Sequence, residues 1–90
     1  MAAEKVVTAF WRRMVRKEKH DFTNGNSYFY RGNKIAWFDD GDLWVTNAGW
    51  MTKTTKDRLS RIGCILQQVR GEWYLKGKKW DGSPVNYTKW

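Results

Sequence analysis

The first apolar pattern in the chain lies near its start and is helical. Apolar side chains recur at i, i+4 and i+8 spacing within residues 3–19, which predicts one amphipathic helix over that range. These side chains are Val6, Val7, Phe10, Trp11, Met14 and Val15. Basic residues crowd the second half of the helix, and Asn24-Gly25-Asn26 predicts a turn beyond its end.

Three short strands are predicted next. Ser27–Arg31 and Lys34–Phe38 flank Gly32-Asn33, which suits a two-residue hairpin loop, and Leu43–Thr46 follows a second turn at Asp40-Gly41. Together they predict a three-stranded antiparallel meander.

Pairing through these turns gives the meander two faces. We expect the uniformly apolar face to pack on the core; it carries Phe29, Ala36, Phe38, Leu43 and Val45. The other face is aromatic with polar groups, and is either a second packed layer or a partly open platform; it carries Tyr28, Tyr30, Ile35, Trp37, Trp44 and Thr46. A bulge in the hairpin would reverse this assignment downstream.

The second half of the chain predicts a helix and a hairpin. Thr54–Ile62 reads as a short helix with Gly63 as its stop. Ile65–Val69 and Glu72–Lys76 form a C-terminal hairpin around Arg70-Gly71. The order α-βββ-α-ββ predicts an α+β fold, and 90 residues indicate one small domain, residues 1–90.

Charge indicates the kind of partner. The 17 Lys and Arg exceed the 9 Asp and Glu, so the net charge is +8. This balance favours nucleic acid, a phosphorylated small molecule or an acidic host protein as partner, although solubility alone also accounts for it. The single cysteine, Cys64, excludes an internal disulfide and suits a reducing cytosol. We expect no membrane partner, because no signal peptide or spanning stretch is visible.

Four segments between residues 30 and 80 carry a family resemblance. They are Gly32-Asn33-Lys34-Ile35-Ala36, Asn47-Ala48-Gly49-Trp50, the Thr-rich run of residues 52–59, and Glu72-Trp73-Tyr74-Leu75 with Trp80-Asp81-Gly82. Through these segments the chain resembles a family of small tailed-phage proteins to which no activity is assigned. In that family an Asn often follows the Arg-Leu pair, where this chain has Ser60. The resemblance implies a viral origin, and therefore the cytoplasm of a bacterial host.

The Thr-rich run is the first candidate binding site. Thr54 with Asp57 fits a weak capping box, and helix N-termini attract anions. The hydroxyls and cations that would join such a site are Thr52, Lys53, Thr54, Thr55, Lys56 and Arg58. The alternative is a capped helix with a solvated basic first turn.

Two further surfaces are candidates for nucleic-acid binding. The N-terminal helix carries a basic face, which is alternatively an ordinary solvated face; it consists of Arg12, Arg13, Arg16 and Lys17. The aromatic platform would stack on bases, unless it forms an oligomer interface or a second core; its members are Tyr28, Tyr30, Trp37 and Trp44.

The sequence gives little support for a catalytic site or a metal site. His20 and Cys64 are the only residues of their types, and Asp39, Asp40 and Asp42 share one hairpin tip. We therefore expect no cofactor, no metal and no enzyme. The expected function is binding of nucleic acid or another phosphate-rich ligand, in host takeover or counter-defence. The alternatives are an inhibitor of a host defence or nuclease protein, and an oligomeric sponge for a nucleotide signal.

Overall fold

The computed structural model describes residues 2–90, which form two helices and nine strands. The elements are α1 (Ala2–Trp11), β1 (Val15–Glu18), β2 (Asp21–Asn24), β3 (Ser27–Tyr30), β4 (Asn33–Asp39), β5 (Asp42–Val45), α2 (Lys53–Ile62), β6 (Leu66–Val69), β7 (Glu72–Leu75), β8 (Lys78–Trp80) and β9 (Val85–Asn86). The expected mixture of helices with antiparallel strands is confirmed, but the sheet content is larger than predicted. No helix within residues 2–90 combines the length and apolarity that a membrane crossing requires.

The strands form two antiparallel sheets. The larger has the order β1-β2-β3-β4-β5-β9, and the smaller has the order β6-β7-β8. Tight hairpins join most neighbours through a residue and a glycine that both have positive φ, as type I′ turns require. The turns at Asp40-Gly41 and Arg70-Gly71 confirm the predicted hairpin positions.

One face of the larger sheet packs against both helices and the smaller sheet. The Phe10 ring of α1 stacks on Phe38 with centroids 4.6 Å apart, and meets the Tyr28 ring edge-on at 5.8 Å. Leu59 and Ile62 enter this core from α2. The smaller sheet adds Trp73, Leu75 and Trp80.

The second helix begins at Lys53, one residue earlier than predicted. Its N-cap is Thr52, whose Oγ1 accepts a hydrogen bond from the Thr55 N–H at 3.2 Å, so the prediction of Thr54 as the cap is wrong. Thr52 has extended φ and ψ, which is the usual backbone of an N-cap. Gly63 ends the helix with φ 123°, which confirms the predicted stop.

The predicted helix over residues 3–19 is wrong beyond Trp11. The Met14 N–H reaches the Ala9 carbonyl and the Arg13 N–H reaches the Phe10 carbonyl, the two bonds of a Schellman ending. Arg13 takes the left-handed position, with φ 58°, that glycine usually occupies. The chain then continues into β1. Met14, just before this strand, and Val15, its first residue, are 58% and 70% exposed rather than buried on a helix face.

The predicted face assignment of the meander is wrong for β3, whereas Ala36, Phe38, Leu43 and Val45 are confirmed on the core side. Its first loop is Arg31-Gly32 rather than Gly32-Asn33, which leaves the faces unchanged because the pairing moves by an even number of residues. A bulge then makes Ile35 an extra residue, since Phe29 pairs with Lys34 while Tyr28 pairs with Ala36. This bulge turns Tyr28 toward the core and places Phe29 on the opposite face.

Two short strands were absent from the prediction of the C-terminal region. β8 adds a third strand to the smaller sheet, and β9 pairs with β5. The Asn47 loop docks here, because the Asn47 N–H donates to the Gly82 carbonyl at 3.0 Å. A Cβ at position 82 would collide with the Asn47 side chain, so this approach requires glycine.

Candidate functional site

The outer face of the larger sheet, which is the side turned away from both helices, carries two rows of side chains. The strand pairing aligns Lys17, Phe22, Phe29 and Lys34 in the first row. It aligns Ser27, Trp37, Trp44 and Asn86 in the second row. Each row crosses four strands. The rows lie roughly 7 Å apart, the distance between alternate residues along a strand.

Aromatic rings dominate this outer face. Phe22 and Phe29 have centroids 5.7 Å apart, and Trp37 and Trp44 stack at 6.2 Å with an interplanar angle of 17°. All four side chains are partly buried, and all lie outside the hydrophobic core and its packed fringe. The rings are therefore held by one another and by their strands, with surface left open to solvent.

Cations border the rings. Lys17 and Lys34 are exposed at the two ends of the first row. The Lys34 Nζ lies 4.6 Å from the Trp37 ring centroid, so it joins the two rows through a cation–π contact.

The positive charge continues around one end of the sheet, which we call the basic end. A groove of about 460 Å³ opens there between the β1–β2 and β3–β4 turns. Its lining includes Lys17, Lys19, His20, Phe22, Phe29 and Arg31. The acidic residues nearby are compensated, since Glu18 pairs with Arg16 at 2.9 Å and Asp21 pairs with Arg58 at 2.8 Å.

The opposite end of the sheet is acidic. Asp39 and Asp42 are paired across β4 and β5, and Asp40 lies in the turn between them. Hydrogen bonding to Asn86, together with Lys89, lowers the pKa of Asp42. Lys89 pairs with Asp42 at 3.4 Å, so the negative charge at this end lies mainly on the exposed Asp39 and Asp40.

The Thr-rich run adjoins the basic end. A cavity of about 260 Å³ lies where α2 begins, lined by Tyr30, Arg31, Asn33, Trp50, Thr52, Thr54 and Thr55. Lys53 is exposed at the first residue of α2, and Lys56 is partly buried one turn later. The structure therefore places the predicted hydroxyls of this run beside Arg31.

Arg58 points into the protein rather than toward a ligand. Its Nε donates to Asp21 Oδ1 at 2.8 Å, and its Nη1 donates to Asp57 Oδ2 at 2.7 Å. Burial alone would lower the pKa of Arg58, but these two carboxylates raise it overall. The side chain is 13% exposed, so its charge is committed to joining α2 to β2.

The two tyrosines of the predicted platform lie in the core. Tyr28 is fully buried and its hydroxyl donates to Asp21 Oδ1 at 2.7 Å; burial and this carboxylate raise the Tyr28 pKa. Tyr30 is 6% exposed, with the Arg58 guanidinium 4.8 Å from its ring. The expectation that both lie on the same face as Trp37 and Trp44 is wrong, whereas the direct pairing of Trp37 with Trp44 is confirmed.

The predicted basic helix face does not form. Arg12 and Arg13 lie in the turn after α1, and the Arg13 guanidinium sits 4.0 Å from the Phe38 ring. Arg16 and Lys17 are neighbours on β1, so their side chains point to opposite sides of the sheet. Of these four cations, Lys17 reaches the outer face.

Sequence reasoning missed several residues of this surface. Phe22 was missed because it lies between the predicted helix, which ended at residue 19, and the predicted turn at Asn24-Gly25-Asn26. Phe29 was placed on the core face. The sequence prediction gave no binding role to Arg31, Lys34 or Trp50, which it placed only in a hairpin or in a family motif. The strand-favouring pair Phe22-Thr23, just before a glycine turn, is the signal that could have revealed β2.

The residues considered for catalysis are dispersed. Cys64 is 5% exposed, and burial raises the pKa of its thiol to about 12. His20 is exposed in the β1–β2 turn. Within residues 2–90, no three His, Cys, Asp or Glu side chains gather closely enough to hold a metal ion.

Comparison with known proteins gives one match. The family described as Kyanoviridae Gp96 protein, a phage protein family, matches residues 17–90. This range extends beyond the segments that carried the resemblance in the sequence, and it includes the outer face and both cavities. No curated protein and no solved structure matches the chain.

Proposed function

The chain belongs to the Kyanoviridae Gp96 family of phage proteins, and we propose that it is a non-enzymatic binding protein for single-stranded nucleic acid. The proposed contact surface is the outer face of the larger sheet. The observation that carries the proposal is the group of four partly buried aromatic rings on this face, all outside the core. Phe22, Phe29, Trp37 and Trp44 are these rings.

Flat aromatic surfaces bind bases without demanding a sequence. Each base stacked on an aromatic side chain contributes roughly 1–3 kcal/mol, because every base has a π face. The paired rings on the outer face support one another, which limits the side-chain freedom that binding would remove. Two such pairs offer stacking positions for more than one base.

The cations supply contacts for the phosphates. Lys17 and Lys34 flank the Phe22–Phe29 pair, and Lys19 with Arg31 continues the positive charge into the groove at the basic end. The aspartates at the opposite end would repel a phosphate backbone. The proposed strand therefore crosses the sheet near the basic end, with its bases turned onto the rings.

A single strand suits this surface better than a duplex. In a duplex the bases are already stacked on one another, so their faces are not free to contact a side chain. A duplex would engage the cations and leave the aromatic surface unused. We therefore propose a preference for single strands over duplexes of the same length.

The proposed setting is the cytoplasm of the infected bacterium, in host takeover or counter-defence. The buried Cys64 is unsuited to act as a nucleophile, because its raised pKa of about 12 keeps the thiol protonated near neutral pH. The exposed cations fit a role in which the protein coats or sequesters a polyanion.

Fluorescence anisotropy of labelled oligonucleotides tests the proposal. A labelled oligothymidylate and a duplex of equal length are titrated with protein at low salt, and the titration is repeated as salt is raised. We expect single-strand binding with log K falling against log salt with a slope of about −3, because four cations contribute about −0.7 each on single strands. A Lys17→Glu, Lys34→Glu variant should have a shallower slope.

Two results would overturn the proposal. One is the absence of single-strand binding at low salt with micromolar protein, which would favour an acidic host protein as the partner. The other is equal affinity for the duplex and the single strand, which would reduce the interaction to general charge attraction.

A further inference from the structure

The cavity at the start of α2 adjoins the proposed contact surface. It has a volume of about 260 Å³, below the roughly 300–1,000 Å³ of pockets for drug-sized ligands. A single planar group such as a nucleobase fits this size, whereas a folded oligonucleotide does not. The residues that matter for its chemistry are Arg31, Asn33, Trp50, Thr52 and Thr54.

Trp50 gives the cavity an exposed aromatic wall. Its side chain is 55% exposed, although tryptophan is among the largest apolar side chains and is highly buried on average. Tyr30 lies on the cavity as well and is 6% exposed. A flat ligand entering here would cover the open indole and gain a stacking contact.

The polar groups of the cavity match the edge of a base. Asn33 is partly buried, and its side-chain amide offers both donors and an acceptor. The exposed Thr54 hydroxyl adds a group that can donate or accept, whereas the Thr52 hydroxyl already donates to Thr55 Oγ1 at 3.0 Å and caps the helix. Base edges present donors and acceptors in mixed patterns, which such a set can satisfy.

Arg31 connects this cavity with the outer face. It lines the cavity at α2 and also the groove that contains Phe22 and Phe29. A strand stacked on these phenylalanines therefore has a basic residue at the point where it would turn toward Trp50. Arg31 is the one residue that the linings of the two sites share.

We propose that this cavity receives one unstacked base of the bound single strand and stacks it on Trp50. The inference rests on the proposed function and adds to it a defined position for one base. Asn33 would contact the edge of that base, and Arg31 would contact the backbone beside it. The cavity is proposed for a base rather than a phosphate, since its exposed aromatic wall suits a flat, uncharged group.

Oligothymidylates that carry one 2-aminopurine, moved one position at a time, test this inference. The fluorescence of this adenine analogue falls when it stacks on an aromatic ring. With the natural protein we expect a position at which binding quenches the probe and at which Trp50→Ala removes the quenching. Trp50→Ala should also weaken binding about five-fold or more, the equivalent of one lost stack.

Met51→Ala is the matched control, because Met51 is 50% exposed beside Trp50 and lines neither cavity. It should keep both the affinity and the quenching pattern. Thermal melting checks that each variant is folded. If folded Trp50→Ala binds as tightly as the natural protein with an unchanged pattern, the inference is overturned while the proposed function stands. If the natural protein binds no oligonucleotide, the proposed function fails, and this inference fails with it.

Discussion

Arg58 lies at the centre of a polar cluster that joins α2 to β2. It lies between the Asp21 and Asp57 carboxylates, and the Tyr28 hydroxyl donates to the same Asp21 oxygen. Asp21 is 3% exposed, so its charge depends on this guanidinium for stabilisation. Arg58 therefore has a structural role, although the basic residues around it in the sequence suggested a binding role.

Removing Arg58 should be costly. Arg58→Ala leaves Asp21 buried without its cation, and loss of one partner of a buried pair lowers the free energy of unfolding by about 3–5 kcal/mol. Arg61→Ala is the control, because Arg61 pairs with the exposed Glu4 and with Asp57 near the surface. Its effect should be about 0–1 kcal/mol. Urea unfolding measures both, and equal losses would show that Arg58 is not the internal support of Asp21.

The threonines at the start of α2 have different roles. Thr52→Ala removes the side chain that accepts from the Thr55 N–H, and should lower the free energy of unfolding by about 1 kcal/mol. Thr54→Ala alters an exposed hydroxyl inside the first turn and should change stability by less than about 0.5 kcal/mol. Thermal melts compare the two, and the reverse order would show that Thr54 is the cap.

At the scale of elements, the sequence predicted the ends of some helices and strands and not of others. Gly63, Asp40-Gly41 and Arg70-Gly71 carry glycine where positive φ is needed, and the prediction found each of them. The end of α1 uses Arg13 in that conformation, so no glycine marked it. The periodic apolar residues Met14 and Val15 then extended the predicted helix into a strand.

The bulge at Ile35 determines which side chains of β3 and β4 share the outer face. Hydrophobic alternation gives the faces of a strand only while its register is continuous, and one extra residue exchanges them. Both Ile35 and Ala36 are buried, a pattern that the sequence alone does not distinguish from regular alternation. For this reason Trp37 and Trp44 were grouped correctly with each other and wrongly with Tyr28 and Tyr30.

The first helix is structurally necessary although it precedes the matched range of residues 17–90. Phe10 is fully buried and contacts Phe38 and Tyr28. Phe10→Ala should therefore lower the free energy of unfolding by about 3–5 kcal/mol. Val15→Ala, at a side chain 70% exposed, should change it by less than about 0.5 kcal/mol. Chemical unfolding that gave similar values for both would contradict the role assigned to α1.

At the scale of the whole molecule, the two faces of the larger sheet differ in what they contact. The inner face holds the helices and the smaller sheet, and the outer face presents rings and cations. The acidic turn at Asp39–Asp42 and the basic end lie at opposite ends of the strands. Composition indicated a basic, aromatic surface, but the sheet register was needed to locate it.

The most direct test of the central claim replaces one ring in each aromatic pair by leucine. Phe29→Leu and Trp37→Leu keep an apolar side chain but remove the flat π surface. Tyr74→Leu is the control, because Tyr74 is a partly buried aromatic on the smaller sheet. In anisotropy titrations with labelled oligothymidylate, we predict affinities at least about five-fold weaker for Phe29→Leu and Trp37→Leu, and an unchanged affinity for Tyr74→Leu. Natural affinity in folded Phe29→Leu and Trp37→Leu proteins would contradict single-strand binding by the outer face.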